Sequence, residues 1–182
     1  GGPRRVGVIG LGVGTLAAYG RPGDVMRFYE INPAVVDVAR ERFTFLSDSP
    51  ATIDVALGDG RLSLERESDQ GFAVLAVDAF SGDAIPTHLI TAEAVQLYLR
   101  HLRPDGVLAV NVSNRHADLP RVVRHHAAAQ GLAWAFVSAR STSPVGAYRS
   151  DWMLLSRDPA VLLDPAIADG TRTPPRMDRP PV

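Results

Sequence analysis

Four acidic residues and one glycine cluster carry the chemistry this sequence can do. Gly10-Leu11-Gly12-Val13-Gly14-Thr15 follows a short apolar run. Glycines between a strand and a helix let the backbone turn sharply and approach a ligand that a Cβ would block. A helix opening there aims its free N–H groups at the same point. Glycine turns also arise from packing alone, and the dinucleotide fingerprint wants a third glycine where Thr15 stands. Glu30 lies 20 residues beyond Gly10. At that spacing a strand-end carboxylate accepts hydrogen bonds from both ribose hydroxyls, whether of NAD or of S-adenosylmethionine; a solvated strand-end acid is the plainer alternative.

Asp59, in Gly58-Asp59-Gly60-Arg61, follows the third apolar run. In a sheet of this order that loop borders an adenine, whose exocyclic amine a carboxylate can accept from; Asp and Gly also make turns unaided. Asp78 ends the fourth run and leads into Ala79-Phe80-Ser81-Gly82-Asp83-Ala84-Ile85-Pro86. An acid there faces the reacting part of a bound cofactor, where it accepts a proton from an amine or holds a cation. Asp83 either assists or caps the turn before Pro86. The five histidines do not assemble by spacing into a metal site, so no metal is expected. Neither a Gly-x-Ser-x-Gly elbow nor a P-loop occurs.

These residues need a scaffold that brings strand ends together. Val6–Gly10, Val25–Tyr29, Ala51–Leu57, Phe72–Val77 and Val107–Val112 read as buried parallel strands. Helices are expected over Thr15–Tyr19, Ala34–Phe45 behind Pro33, Arg61–Glu67, from a Thr91 cap to about His101, and over Leu119–Gln130. Ala133–Val137 and Trp152–Leu155 close the order with no helix between them, which predicts an antiparallel hairpin at one edge. The fold class is therefore α/β, a Rossmann-like, S-adenosylmethionine-dependent methyltransferase-type fold: a mostly parallel sheet, helices on both faces, and a terminal antiparallel hairpin.

Bulk properties bound the partners. The 182 residues suit one domain, with 46% hydrophobic and 21% charged residues. A net charge of −1 gives no case for nucleic acid or an anionic membrane surface. Without cysteine, disulfides, thiolate metal sites and a Cys nucleophile are excluded. No apolar run approaches the roughly 18 residues of a membrane span and no secretory signal is visible, so the expected location is cytoplasmic. Residues 1–157 read as the cofactor-binding catalytic domain and 158–182 as a proline-rich tail, extended or disordered. The abrupt start and the proline-rich end favour one domain cut from a longer polypeptide.

Val6-Gly-Val-Ile-Gly-Leu-Gly-Val-Gly14, Tyr29-Glu-Ile-Asn-Pro33, Gly58-Asp-Gly-Arg61 and Val77-Asp-Ala-Phe-Ser-Gly-Asp83 together resemble the catalytic domain of the spermidine synthases, in particular bacterial spermidine synthase-like proteins. The likeness runs from about Arg5 to Arg157. It implies that Gly10, Gly12, Gly14 and Gly60 surround the cofactor, that Glu30 binds ribose and Asp59 adenine, and that Asp78 is catalytic, taking a proton from the attacking amine of putrescine. The implied cofactor is decarboxylated S-adenosylmethionine, whose aminopropyl group moves to a small-molecule amine, leaving methylthioadenosine. Homodimers are common in that family, although no stripe in this sequence marks an interface. Two departures stand out. Authentic synthases read Asp-Ser-Ser-Asp-Pro, whereas Ser81 replaces the second acid here and Asp83 is displaced by two positions; and the N-terminal β-hairpin domain of the synthases has no counterpart before Gly1. The cofactor half of the site therefore carries over better than the amine half. Methyl transfer from intact S-adenosylmethionine and non-catalytic nucleotide binding are the competing expectations, and an NAD enzyme a distant fourth.

Overall fold

The structure is a computed structural model that describes residues 2–80, 85–113, 117–139 and 150–174. Seven strands form one sheet: β1 (Arg5–Ile9), β2 (Val25–Glu30), β3 (Thr52–Leu57), β4 (Phe72–Val77), β5 (Leu102–Asn111), β6 (Ala133–Ala139) and β7 (Ser150–Ser156), ordered β3-β2-β1-β4-β5-β7-β6. The first five are parallel, and β7 runs antiparallel to both β5 and β6. The fold is the methyltransferase-type Rossmann-like sheet expected from the order of elements. The hairpin reaches back so that its second strand, β7, lies inside and β6 forms the edge.

Alternate strand residues serve opposite faces, as the two-residue period requires. Ile9, Val77, Val110 and Met153 join α2 (Gly60–Arg66), α3 (Ala92–His101) and α4 (Leu119–Ala129) in one core, where Leu64, Tyr98 and Val123 are buried. Val8, Ala76 and Ala109 face the other way, against α1 (Pro33–Arg42) through Val36 and Ala39. Caps fix where the helices begin: the Asn32 side chain accepts from Ala34 N–H, and Thr91 from Ala94 N–H.

Several expected boundaries move. Thr15–Tyr19 is a 3-10 turn rather than an α-helix, so no full helix N-terminus follows the glycine loop. The first helix stops at Arg42, because Phe43 is already extended. The fifth strand, expected from Val107, begins at Leu102 and takes in Pro104-Asp105-Gly106, where the register jumps from Phe72↔Leu102 to Val74↔Val107. The extended tail expected from residue 158 does not describe 158–174. Pro159–Leu163 is a 3-10 turn capped by Asp158, α5 (Pro165–Ala168) is capped by Asp164, Leu162 is buried, and Thr171 bridges to Val137. Residues 175–182 lie outside the described residues. Among the described residues no helix is long and apolar enough to cross a membrane.

Candidate active site

The carboxyl ends of β1, β2, β3 and β4 share one rim. Beyond the last strand residues the ladder adds three more hydrogen bonds: Gly10 N–H to Tyr29 O, Gly58 N–H to Glu30 O and Asp78 N–H to Ile9 O, each 2.8 Å. That continuation brings Gly10, Glu30, Asp59 and Asp78 to one cleft of about 580 Å³, as expected of strand ends in a parallel sheet.

Gly10 has φ +99°, and a Cβ on it would lie 2.6 Å from the Asp78 carbonyl oxygen, so no other residue fits between β1 and β4 here. Gly12 also lines the cleft. Gly60 borders the cleft too, although its bareness is explained by packing, since a Cβ would meet Ile9 at 2.7 Å. Gly14 does not line the cleft; it backs onto Leu46.

Glu30 is 9% exposed. Its Oε2 accepts from Leu11 N–H at 3.1 Å and its Oε1 from Asn32 N–H at 2.9 Å. The carboxylate thereby ties the glycine loop to the β2–α1 turn. Each oxygen keeps a further lone pair, so a rigid bidentate acceptor faces the cleft, suited to a ribose diol.

Asp59 caps α2, its Oδ1 accepting from Leu62 N–H at 2.9 Å, while His88 Nε2 lies 2.9 Å from its Oδ2. Burial pushes this carboxyl up, but the bonds from Leu62 and His88 outweigh it and hold its pKa below the ordinary value. Sequence reasoning passed over His88, which lies in the 3-10 turn Thr87–Leu89.

Asp78 is half-buried. Asn111 Nδ2 donates to its Oδ1 at 2.7 Å, and Ser113 N–H donates to Asn111 Oδ1 at 2.9 Å. The second bond orients the Asn111 amide, so its nitrogen must face the acid. Asp78 Oδ2 has no partner among the described residues. Burial pushes the Asp78 pKa above the ordinary carboxylate value, and the Asn111 bond opposes that in part. Asp83, the other expected catalytic acid, lies outside the described residues, as does Ser81. Among the described residues no group of three or more His, Asp or Glu is placed to hold a metal ion.

The acceptor set suits an adenosine-bearing cofactor. Glu30 can take a ribose diol, Asp59 can take a purine amine, the apolar side chains of Ile31, Val35 and Leu89 offer the base a greasy wall, and Asp78 stands apart from that wall, just past the end of β4.

No family model matches the chain. Over 114 residues it is 35% identical to the polyamine aminopropyltransferase of Vibrio vulnificus, a match covering 60% of this chain and 38% of that protein. The sequence resembles the polyamine aminopropyltransferases. The chain spans well under half the length of that relative. Two solved structures share the fold: spermidine synthase from Thermotoga maritima, with TM-score 0.67 and 17% identity over 96% of this chain and 62% of that one, and human methyltransferase-like protein 13 in complex with SAH, with TM-score 0.68 and 22% identity over 97% and 85%. All three are named for, or are, transferases or methyltransferase-like proteins.

Proposed function

We propose that the chain is the cofactor-binding, catalytic part of an aminopropyltransferase-type enzyme that joins an aminopropyl group from decarboxylated S-adenosylmethionine to a small amine such as putrescine. The observation that supports this reading is the arrangement of three carboxylates on one rim: Glu30, Asp59, and Asp78 held by Asn111 with its Oδ2 unpartnered among the described residues. The donor supplies a sulfonium whose neighbouring carbon is open to attack, and the C–S electron pair departs on sulfur as methylthioadenosine.

The protein's part is to bind and to manage protons. Glu30 holds the ribose, and Asp59 the base. Asp78 Oδ2 orients the free amine and accepts the one proton that its nitrogen sheds as the new C–N bond forms. Burial raises its pKa, which makes this carboxylate a stronger base than one in water. A diamine dication needs a carboxylate at each end to offset its desolvation, and Asp83 is the candidate for the second.

Intact S-adenosylmethionine fits the same nucleoside walls, and the fold shared with a methyltransferase-like protein makes methyl transfer the second reading. Products separate the two. Incubation with decarboxylated S-adenosylmethionine and putrescine should release methylthioadenosine and spermidine, read by mass spectrometry. Release of S-adenosylhomocysteine from intact cofactor, with no methylthioadenosine from the decarboxylated one, would establish the second reading instead.

A further inference from the structure

One run of hydrogen bonds leaves the cleft sideways and crosses four strands. Asp78, just past β4, accepts from Asn111 at the end of β5, and Asn111 Oδ1 accepts from Ser113 N–H. Ser113 Oγ in turn accepts from Asp151 N–H on β7 at 2.8 Å, and its hydroxyl donates to Asp151 O at 3.4 Å. Val112 N–H donates to the same carbonyl at 2.8 Å. On β6, the Ser138 hydroxyl donates to Asp151 Oδ1 at 2.6 Å. An amide fits between a carboxylate and an N–H in one sense only, nitrogen to the acid and oxygen to the donor. Ser113 lies two residues past the end of β5, and its hydroxyl ties it to β7 there.

We propose that Ser113 is a positioning residue for Asp78: its hydroxyl, clamped to β7, fixes the N–H that aims the Asn111 amide at the acid. This rests on the reading of Asp78 as the proton acceptor. Ser113 does not line the cleft and acts through Asn111. Without the clamp its N–H drifts, and the Asn111 amide loses the partner that holds its oxygen away from Asp78. A carboxylate held less firmly by a donor takes up a proton more readily, so its titration moves to higher pH. Successive bonds in such a run polarise one another, so protonation of Asp78 is felt at Ser113 and at Asp151. Among the described residues, the titratable groups that share the cleft with Asp78 are Glu30, Asp59 and His88. Its neighbours on β1 and β5, Gly10 and Asn111, carry no charge. Burial and the Asn111 bond are what move its pKa.

The test is an NMR titration of Asp78, with kcat/KM followed against pH, in the wild-type chain, Ser113→Ala, Ser113→Thr, Asn111→Leu and the Asn111→Leu/Ser113→Ala double variant. In the wild type the Asn111 side-chain amide and the Ser113 and Asp151 backbone amides should shift with the Asp78 midpoint, a signature that needs no variant to fold. Asn111→Leu should raise that midpoint by about one pH unit, the scale of one hydrogen bond to a charged group. Ser113→Ala should raise it by a smaller step, and Ser113→Thr, which keeps the hydroxyl, should match the wild type. In the Asn111→Leu background Ser113→Ala should add nothing, because the amide it aims is gone; a merely structural role would add the same step in both backgrounds. The acid limb of kcat/KM should follow the midpoint in each protein. A wild-type midpoint in Ser113→Ala, or the same step with and without Asn111, overturns the proposal alone, as do Ser113 and Asp151 amides that ignore the Asp78 midpoint. An acid limb that ignores the midpoint while the NMR pattern holds overturns it together with the reading of Asp78 as proton acceptor.

Discussion

Asp78→Asn should reduce transfer by about 10²- to 10⁴-fold, the range a positioned proton acceptor contributes, with nucleoside affinity nearly unchanged. The amide has the shape of the acid, and its Oδ1 can still accept from Asn111, whose own orientation is set by Ser113. The substitution therefore removes charge and basicity without disturbing the rim. The effect should appear in kcat and in the KM for the amine, because the proposed partner of Asp78 is the amine and not the nucleoside. The wild-type pH profile carries a second signature. Asp78 works ionised, and burial raises its pKa, so the acid limb of kcat/KM should lie above the ordinary carboxylate range, with rate lost as pH falls through it. Asn111→Leu removes the donor that favours the ionised form, which raises that pKa further and moves the limb to higher pH. Wild-type turnover in Asp78→Asn would remove this residue from the mechanism.

Glu30→Ala should abolish nucleoside binding and also destabilise the fold, by about 1–3 kcal/mol at neutral pH, the scale of one orphaned buried donor. The backbone N–H groups of Leu11 and Asn32 both lose their side-chain acceptor. Leu11 is buried and its N–H carries the cost, whereas Asn32 is exposed and water replaces the lost partner. Glu30→Gln separates the two roles. It keeps the volume and one acceptor oxygen, but turns an NH₂ toward one of the two N–H groups, so one loop contact is lost and the other kept. Its stability loss in urea denaturation should be smaller than that of Glu30→Ala. Equal stability of all three proteins would show that Glu30 does not tie the glycine loop to the β2–α1 turn.

The rim was legible in the sequence because a parallel sheet gathers the carboxyl ends of its strands. Glu30, Asp59 and Asp78 each follow an apolar run, and the register Ile9↔Tyr29 and Ile9↔Val77 sets those runs level. The partners of these acids were less legible. His88 and Asn111 reach them across 29 and 33 residues, with no periodicity to mark the pairing. Asn111 was within reach of the same rule: it is the polar residue that ends β5, but reading that strand one residue too long, to Val112, hid it. For His88, only a histidine in a short turn behind Pro86 hinted at a role.

The glycines divided by cause. Gly10 and Gly60 are bare because Asp78 and Ile9 approach them, a contact no local pattern reveals, and Gly14 backs onto Leu46. The prolines that marked a tail lie at 174–181, while the turns within 158–174 carry other prolines. Asp158-Pro159 and Asp164-Pro165 are instead two cap-and-first-turn pairs, in which proline's fixed φ suits the start of a helical turn.

The central claim is that the cleft accepts a decarboxylated donor for aminopropyl transfer. A calorimetric titration of this chain with decarboxylated S-adenosylmethionine and with S-adenosylmethionine tests it most directly. The account predicts tighter binding of the decarboxylated form by about tenfold or more, which is about 1.4 kcal/mol. Equal affinity, or tighter binding of the intact cofactor, would contradict the aminopropyltransferase reading and favour methyl transfer from the same cleft.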